Sequence, residues 1–591
     1  MGHRVVGVNP PRRASVVFIL TDDQGYGDLS RTGNKMLDTP NIDALAADGA
    51  TMNQFFVQPL CAPTRAEILT GRYFPFTGVS GVCEGAERLN LDETLLSDLF
   101  KEAGYATGCF GKWHSGIQYP YHPCARGFDE FIGFCCGHWS HYFDSTIEHN
   151  GREYKSTGYL PDVLTAHAMD FISEYKDDPF FCYLPLNTPH SPWQAPDEYF
   201  EKFAGMAIVQ KATVPENEID DVTRCALAMC ENIDWNVGRV IARLKELGIY
   251  DNTIVVYLSD NGPNSNRWNG GLRGIKGSTY EGGVRTPCSI TFPARIPANT
   301  DVAQVASSTD FLPTLCALCG VEATPDKPIH GIDLTGVLCD GELLPDRSVY
   351  TISPRRKAAS IRQGDYRYHN NGELYNITRD IGETADVADD QPERAGAMKG
   401  ELDALFAEFP PMVQNAVIPV GYKAWPVTYL QTQDAELQGT LKRSSIHPNC
   451  SWICDWHDLN DSLLWHVDVE TAGTYRVGVM YSAHNGQLGS RFAAECVGNS
   501  DAPRRARDCP PYLGDAGASR CEFQVDVEFN RPELRGFDRY PRDESYEKEF
   551  ALMECGNIAL TRGPATFILR ALTMPGDAMP HVRALKLELQ R

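Results

Sequence analysis

The sequence predicts three structural parts: an α/β domain with a mostly parallel sheet between helices, a small α+β subdomain, and an extra all-β sandwich. Three observations lead to this prediction. Short apolar runs alternate with helical patterns over roughly the first 300 residues, which is typical of a parallel sheet covered on both faces. Short polar-alternating runs and a helix follow. The last part contains longer runs that alternate with period two, as in strands with one buried face.

The first predicted strand is the apolar run from Val16 to Leu20. Similar runs follow at Phe180 to Leu184 and Thr253 to Leu258. Each run is short and continuously apolar, which fits a strand buried on both faces. Because these runs alternate with helices, they imply a mostly parallel sheet with helices on both faces.

Two helices are predicted between these strands from their apolar spacing. The segment from Asp92 to Ala103 has apolar residues on one face, and we expect Asp92 to cap it and Gly104 to end it. A longer helix has one apolar stripe and ends at Gly248. The stripe consists of Ile233, Val237, Val240 and Leu244.

The domain boundaries follow from these changes in pattern. We assign residues 1–345 to the α/β domain, 346–412 to the α+β subdomain and 427–591 to the β-sandwich. A probable linker between the last two is marked by prolines, namely Pro410, Pro411, Pro419 and Pro426. The sandwich has several tryptophans that could stack on a sugar ring, namely Trp452, Trp456 and Trp465, the last of which fits the core better.

The net charge of the chain limits the classes of molecule that it is expected to bind. It has 54 Lys and Arg against 78 Asp and Glu among 591 residues, giving a net charge of −24. This argues against a protein that binds nucleic acid by neutralising phosphates. Any anionic substrate must therefore bind at a local basic cluster.

The sequence contains few signals for membrane insertion, secretion or disulfide formation. No apolar run reaches the roughly 18 to 20 residues that a membrane-spanning helix needs, so no membrane association is expected. The first 15 residues lack the apolar core of a signal peptide, which predicts a cytoplasmic protein, or a periplasmic or secreted one if a signal has been removed. The 19 cysteines are scattered, and Cys316 and Cys319 form a lone C-x-x-C.

Polar side chains follow the predicted strands directly. Asp22 and Asp23 follow the first strand, Asp260 and Asn261 follow the strand that ends at Leu258, and His190 comes shortly after Leu184. Ligands of open parallel sheets bind beyond the carboxyl ends of the strands. Each of these sequences could be a simple turn. Together, however, the three carboxylates and the carboxamide predict an all-oxygen site for Ca²⁺ or Mg²⁺.

Cys61 precedes a short predicted helix. Pro63 suits the first helical turn, Gly71 suits its end, and Arg65 can reach back toward Cys61. The N-terminus of a helix favours negative charge. The pattern alone therefore predicts either a thiol of lowered pKa or a buried structural cysteine.

Cys61-x-Pro63-x-Arg65 followed by Leu69-Thr70-Gly71 resembles the signature of the formylglycine-dependent sulfatases of the alkaline-phosphatase superfamily. Further motifs similar to that family occur in its order between about residues 20 and 290. The complete set is Thr21 to Asp28, Cys61 to Arg72, Gly111 to His114, Thr188 to His190, Ser259 to Gly262, and Gly274 to Pro287. Ala62 is a mild departure, because Ser or Thr is commoner there.

The resemblance implies a fold of the alkaline-phosphatase type and a reaction that releases inorganic sulfate. It also implies that a separate maturation enzyme converts Cys61 to formylglycine, whose hydrate is the nucleophile. Ca²⁺, in preference to Mg²⁺, would be held by residue 61 together with Asp22, Asp23, Asp260 and Asn261.

The resemblance also assigns roles to the basic residues. Arg65 would fix the hydrated residue 61, and Lys112 and Lys276 would neutralise the sulfate oxygens. His190 would protonate the leaving alcohol, with Lys276 as a possible partner. His114 would deprotonate the second hydroxyl of residue 61 and so expel sulfate.

The substrate is predicted less directly. Sulfatases with extra β domains often act on sulfated polysaccharides, so a sulfated carbohydrate is favoured over a small aryl sulfate. Candidate substrate contacts lie in two loops and are His138, His141, Asn264, Arg267 and Trp268. The alternatives are a formylglycine-dependent phosphonate or phosphodiester hydrolase, a small-molecule arylsulfatase, and a non-catalytic receptor for sulfated glycans. The sugar, the sulfate position, exo or endo action and the oligomeric state stay open.

Overall fold

A computed structural model describes residues 13–412, 417–498 and 519–590 of the chain. Most of the N-terminal segment on which the prediction of no signal peptide depends, residues 1–12, lies outside the described residues. Among the described helices, none is both long enough and apolar enough to cross a membrane.

The first part of the chain forms a ten-stranded mixed sheet, with a separate two-stranded ladder beside it. In chain order the strands are β1 Ser15–Thr21, β2 Ala50–Met52, β3 Phe55–Phe56, β4 Ala106–Lys112, β5 Glu130–Phe134, β6 Thr146–His149, β7 Arg152–Lys155, β8 Phe180–Pro185, β9 Thr253–Ser259, β10 Cys288–Thr291, β11 Thr300–Val302 and β12 Ala306–Ser307. The order across the large sheet is β11-β2-β10-β9-β1-β8-β4-β5-β6-β7. Its centre is parallel, since β9, β1, β8, β4 and β5 pair in parallel, while β6, β7 and β10 are antiparallel.

Helices cover both faces of this sheet. They are α1 Pro40–Ala47, α2 Cys61–Thr70, α3 Leu96–Glu102, α4 Leu160–Glu174, α5 Asp197–Phe203, α6 Asp220–Glu246, α7 Glu281–Val284, α8 Phe311–Cys319 and α9 Thr335–Asp340. Successive residues of β1 enter opposite cores: Phe18 packs in the core that contains α2, α3 and α8, and Ile19 in the core that contains α4 and α6. This alternation explains why the central strands are continuously apolar, and it confirms the predicted fold class.

The predicted start of one helix is wrong. The helix α3 begins at Leu96, and Asp92 lies in a turn before it, paired with Lys327 at 2.7 Å. The side chain of Asp98 instead accepts a hydrogen bond from the backbone N–H of Leu95 at 3.0 Å. A carboxylate inside the first turn can serve as the cap, which the sequence pattern placed too early.

The second part of the chain is a four-stranded antiparallel sheet with one helix. Its elements are β13 Ser348–Ile352, β14 Ala359–Gln363, β15 Tyr366–His369, β16 Leu374–Asn376 and α10 Pro392–Glu408. Met398 and Leu402 of α10 pack in the same core as α2 and α8. This part is therefore joined to the α/β region by a shared core.

The last part contains two sheets of six strands each, β17-β22-β27-β24-β25 with β19 beside β22, and β20-β21-β28-β23-β26 with β18 beside β28. The strands are β17 Ile418–Val420, β18 Val427–Gln431, β19 Glu436–Gln438, β20 Lys442–Arg443, β21 Ile453–Cys454, β22 Ser462–Val469, β23 Gly473–Ser482, β24 Ser490–Gly498, β25 Ser519–Val525, β26 Ala551–Leu560, β27 Gly563–Thr573 and β28 His581–Leu589. Residues of both sheets, such as Val467 and Val477, share one core. We refer to residues 417–590 as the C-terminal β region.

Two details of this region correct the sequence interpretation. Pro419, predicted in a linker, lies in β17 at the edge of a sheet, where a missing backbone N–H is tolerated. The tryptophans Trp452, Trp456 and Trp465 are all buried, at 1–2% exposure. They therefore do not form an exposed surface for stacking on a sugar.

A buried ion pair predicts how stability depends on pH. His122 Nε2 donates a hydrogen bond to Glu148 Oε1 at 2.7 Å, and the His122 side chain is 3% exposed. Burial opposes the charged form, but Glu148 and the contacts with Cys124 overcome this and raise the pKa of His122 to about 9. The folded-state pKa thus exceeds the unfolded value of about 6.5.

We therefore expect this contribution to be complete below about pH 6.5 and to disappear as the pH rises through about 9. Its size should be on the order of 1–3 kcal/mol. His122→Gln should flatten the pH dependence of the urea unfolding midpoint between pH 6.5 and 9. The control His149→Gln, at a half-exposed pair with Glu130 (3.4 Å), should retain it. An identical profile for native protein and His122→Gln would contradict this account.

Candidate active site

The ends of β1 and β9 bring four oxygen-bearing side chains together. The two strands pair in register, with Thr21 opposite Ser259, so the residues that follow them are neighbours. Asp22, Asp23, Asp260 and Asn261 are all fully buried. The backbone N–H of Asp23 donates to Asp260 Oδ1 at 3.1 Å, and Asn261 Nδ2 donates to Asp23 Oδ1 at 2.8 Å.

Two of these oxygens have unmet bonding capacity. Asp22 Oδ1 and Asn261 Oδ1 are buried and have no hydrogen-bond partner among the described residues. A buried acceptor without a donor is costly unless something positive lies against it. Ligand atoms of Asp22, Cys61 and Asp260 also lie within 4.8 Å of one another. The residues present therefore fit a hard divalent cation bound by oxygen.

Three basic side chains surround this cluster. Lys112 Nζ lies 2.8 Å from Asp22 Oδ2, and Lys276 Nζ lies 2.8 Å from Asp23 Oδ2. Arg65 NH2 lies 2.8 Å from Asp260 Oδ2, and its NH1 donates to the carbonyl of Lys112 at 2.8 Å. These residues form the local basic cluster that an acidic protein requires for an anionic ligand.

The carboxylates differ in charge state because their neighbours differ. Burial raises the pKa of Asp22 to about 8, although Lys112 opposes this. Burial also acts on Asp23, but Lys276 and His190 outweigh it and hold its pKa below the usual range. A bound cation would favour the ionised form of both.

Cys61 is the first residue of α2, directly beside this cluster. Its side chain is buried at 3% exposure, and burial raises the pKa of its thiol despite the nearby Lys112 and Lys276. The interpretation of Cys61 as a thiol of lowered pKa is therefore wrong. Burial outweighs the helix N-terminus, and the encoded thiol is a poor nucleophile.

His114 follows β4 and is fully buried. Its Nε2 lies 2.8 Å from the carbonyl of Val82, while its Nδ1 is buried without a hydrogen-bond partner among the described residues. Burial and the nearby Lys112 hold the pKa of His114 well below its usual range. The ring is thus neutral, and with Nε2–H donating to Val82, Nδ1 is free to accept a proton.

His190 lies on the other side of Asp23. Its Nε2 is 3.5 Å from Asp23 Oδ2, and its Nδ1 is 2.6 Å from the carbonyl of Ser191. Burial and the Lys276 ammonium lower the pKa of His190 to about 4. By contrast, Asp23 and Cys61 outweigh burial at Lys276 and raise its pKa above the usual range. At neutral pH, Lys276 carries a proton and His190 is neutral.

These groups line a cavity of about 560 Å³, which is within the usual range of roughly 300–1,000 Å³ for small-ligand pockets. Asp23, Cys61, His114, His190 and Lys276 all face it. Two of the candidate substrate residues, His138 and Asn264, also line it. The His138 ring stacks against His190 with 5.8 Å between centroids.

The other three candidate substrate residues lie elsewhere, so their predicted role is not supported. Arg267 is buried in an ion pair with Asp28 at 2.6 Å and donates to the carbonyl of Asp23. His141 packs edge-on against Phe537 at 4.9 Å. The ring of Trp268 lies against Gly33. Arg267 instead supports the backbone that carries Asp23.

Sequence reasoning missed one wall of this cavity. The C-terminal β region contributes His447, Pro448, Asn449, Tyr540, Pro541, Arg542, Asp543 and Glu544 to its lining. These residues lie in loops without a recognisable motif. No signal in the sequence connects them to Cys61, because their position depends on how two parts of the chain pack.

Comparison with known proteins agrees with this geometry. The family model described as Sulfatase matches residues 14–321. The chain is 30% identical over 409 residues to N-acetylgalactosamine-6-sulfatase of Mus musculus. This alignment covers 62% of this chain and 73% of that protein. It is 31% identical over 405 residues to arylsulfatase A of Homo sapiens, covering 61% and 76%.

One solved structure is similar at the same level of identity. It is that of Ps i-CgsB in complex with k-i-k-neocarrahexaose, which superimposes with a TM-score of 0.62 and 30% identity. The match covers 68% of this chain and 94% of that one.

The unpartnered oxygens predict that a divalent cation stabilises the fold. Adding Ca²⁺ to metal-free protein should raise the melting temperature, since a ligand at 100 times its Kd adds about 2.7 kcal/mol to the free energy of unfolding. Asp23→Asn should remove most of this increase by deleting one anionic ligand. The control Asp38→Asn, at an exposed carboxylate, should keep it. If neither Ca²⁺ nor Mg²⁺ changes the melting temperature of the native protein, such a site is excluded.

Proposed function

Since the chain belongs to the sulfatase family, we propose that it hydrolyses sulfate esters of carbohydrates, using a formylglycine made from Cys61. The observation that carries the proposal is the position of Cys61. It lies in a cavity beside the Lys112, Lys276 and Arg65 cations and a cluster of oxygen ligands. A sulfate monoester needs such positive charge, and its attacking group must lie within the same site.

Two groups absent from the encoded chain would complete the site. We propose that Asp22, Asp23, Asp260 and Asn261 hold a divalent cation, with Ca²⁺ as the first candidate. When bound, it would lower the pKa of a coordinated hydroxyl and polarise the sulfate ester. Conversion of Cys61 by a formylglycine-generating enzyme would replace a buried thiol with an aldehyde whose hydrate can attack sulfur.

The chain's own residues then have separate tasks. We assign to Lys112 and Lys276 the neutralisation of the sulfate oxygens, since their ammonium groups lie at the site beside Asp22 and Asp23. Arg65 contacts Asp260 and the carbonyl of Lys112, so it orients two elements around position 61. His114 lines the cavity, and its Nδ1 has no hydrogen-bond partner among the described residues. This nitrogen can accept a proton from a hydroxyl of the hydrated residue 61, which releases sulfate.

Protonation of the leaving oxygen is assigned to the pair of Lys276 and His190. Lys276 carries a proton at neutral pH, whereas His190 is neutral and has Nδ1 against the Ser191 carbonyl. The charge states therefore favour Lys276 as the immediate donor and His190 as its neighbour in the proton path. This shifts the emphasis of the sequence interpretation, which placed His190 first.

A carbohydrate substrate is supported by two relatives. One is named for an N-acetylgalactosamine 6-sulfate, and the solved structure of another holds an oligosaccharide, neocarrahexaose. The arylsulfatase relatives keep a small aryl sulfate as the alternative. Sulfate release from a panel of defined sulfated mono- and oligosaccharides would distinguish the two.

The state of residue 61 should control turnover. Protein produced with the maturation enzyme should hydrolyse 4-nitrophenyl sulfate with a higher kcat/KM than 4-nitrophenyl phosphate, and Cys61→Ala should reduce sulfatase activity to background. Mass spectrometry of the peptide that contains residue 61 reports the conversion. Cys339→Ala, which changes a half-buried cysteine in α9, serves as the control and should leave the activity unchanged. Faster phosphate than sulfate turnover, or full activity of Cys61→Ala, would refute the proposal.

The proton donor should be revealed by the leaving group. Lys276→Ala should lower kcat/KM for 4-nitrophenyl sulfate about 10²–10³-fold through lost charge. It should cost at least about tenfold more on a sugar sulfate, because an alkoxide needs a proton and a nitrophenolate does not. His190→Asn should show a smaller difference between the two substrates. A larger difference for His190→Asn would assign the proton to His190 instead.

A further inference from the structure

We propose that the C-terminal β region forms the leaving-group side of the active-site pocket, and that Glu544 selects neutral, hydroxyl-bearing leaving groups over those with a second anionic group. The inference rests on the proposed sulfatase function and deepens it. It concerns the part of the substrate that remains after sulfate is released.

The first observation is the shared cavity. Segments 447–449 and 540–544 line the same space as Cys61 and His190. Gly137 shows how close the two parts of the chain are: a Cβ added there would lie 2.5 Å from Asn449 Nδ2 and 2.7 Å from His114 Nε2. Asn449 therefore borders the same narrow space as a residue assigned to proton transfer.

The second observation is that segment 540–544 is held firmly against the α/β part. The backbone N–H of Arg539 donates to the carbonyl of Trp193 at 2.8 Å, and Gln194 Nε2 donates to Asp538 Oδ1 at 2.8 Å. Phe537 stacks on Phe143 with 5.0 Å between centroids. These contacts come before segment 540–544 in the chain and fix its approach to the pocket.

Segment 447–449 is anchored in a similar way. Cys450, the next residue, is buried with its sulfur 3.8 Å from that of Cys136 and 3.3 Å from the carbonyl of His138. Cys136 and His138 flank Gly137. Both segments are thus part of the folded wall of the cavity.

The third observation concerns Glu544 itself. The hydroxyl of Ser191 donates to Glu544 Oε1, and Ser191 is the residue whose carbonyl lies against His190 Nδ1. Ser191 therefore connects the Glu544 carboxylate to His190, the neighbour of Lys276 in the proposed proton path. A sugar bound with its sulfate at Cys61 would present its ring to this side.

The charges of this wall determine what it accepts. Arg542 lines the cavity, but its guanidinium is taken by Asp538, with Nε 2.7 Å from Oδ2. Glu544 and the exposed Asp543 beside it also line the cavity, and neither forms an ion pair with a described residue. This wall therefore carries negative charge that is not neutralised. Carboxylate oxygens accept hydrogen bonds from hydroxyl groups, whereas a second sulfate or carboxylate placed there meets like charge.

The experiment compares substrates that differ by one anionic group. One pair is N-acetylgalactosamine 6-sulfate and its 4,6-disulfate, and the other is 4-nitrophenyl sulfate and its 3-carboxy derivative. For the native enzyme we expect kcat/KM to favour the singly charged member of each pair by about tenfold or more. Glu544→Gln keeps the size and the acceptor for Ser191, and it should reduce this preference about five- to tenfold.

Two further variants control the result. Asp543→Asn should reduce the preference in the same direction but less, because Asp543 is more exposed. Glu549→Gln removes a carboxylate from the same stretch of chain, where it pairs with Lys155 on the surface at 3.3 Å, and should leave the preference at the native value. Melting temperatures establish that each variant is folded.

The outcomes separate this inference from the proposed function. If no sugar sulfate is hydrolysed but the aryl pair responds to Glu544→Gln as expected, the carbohydrate assignment is wrong and the subsite stands. If the native enzyme hydrolyses both members of a pair equally well, or if Glu544→Gln leaves the preference unchanged in a folded protein, the subsite is refuted while the sulfatase function remains.

Discussion

The arrangement of the site depends on the burial of three carboxyl groups at the ends of two adjacent strands. The backbone N–H of Asp23 donates to Asp260, and ligand atoms of Asp22 lie within 4.8 Å of those of both, all of them buried. Several kcal/mol per ion would oppose this without compensation. Lys112, Lys276 and Arg65 supply part of it, and the unpartnered oxygens indicate that a cation supplies the rest. The basic residues that stabilise the fold locally are therefore the ones that we propose to bind sulfate.

The same constraint explains why a modified residue suits position 61. Cys61 is buried, so its thiol keeps its proton even with two lysines nearby. A helix N-terminus favours an anion, but burial of the sulfur has the larger effect. A nucleophile that acquires its charge only when a cation binds beside it avoids this cost. The chemistry at residue 61 and the oxygen ligands of Asp22 and Asp260 thus require each other.

Much of this arrangement could be predicted from the sequence because it depends on local patterns. The central strands are continuous apolar runs, and the residues after them converge because parallel neighbours end at one edge. Features that depend on distant packing could not be predicted. Arg267 was predicted to contact the substrate, but in the structure it pairs with Asp28, which is distant in the sequence. Trp452 and Trp456 lie in the core for the same reason, whereas the core position of Trp465 was predicted from its alternating strand. Glu544 carried no signal at all.

The pocket therefore has two origins with different physical demands. The reacting centre is built on strand ends and a helix start, where hydrogen-bonded backbone positions the charges. The opposite wall is built from loops of a separate β region, where contacts such as Phe537 on Phe143 hold the segment from outside the cavity. A substitution in the loop can change which leaving group fits without altering the balance among Asp22, Asp23 and their cations. Charge balance and recognition of the leaving group therefore depend on different parts of the chain.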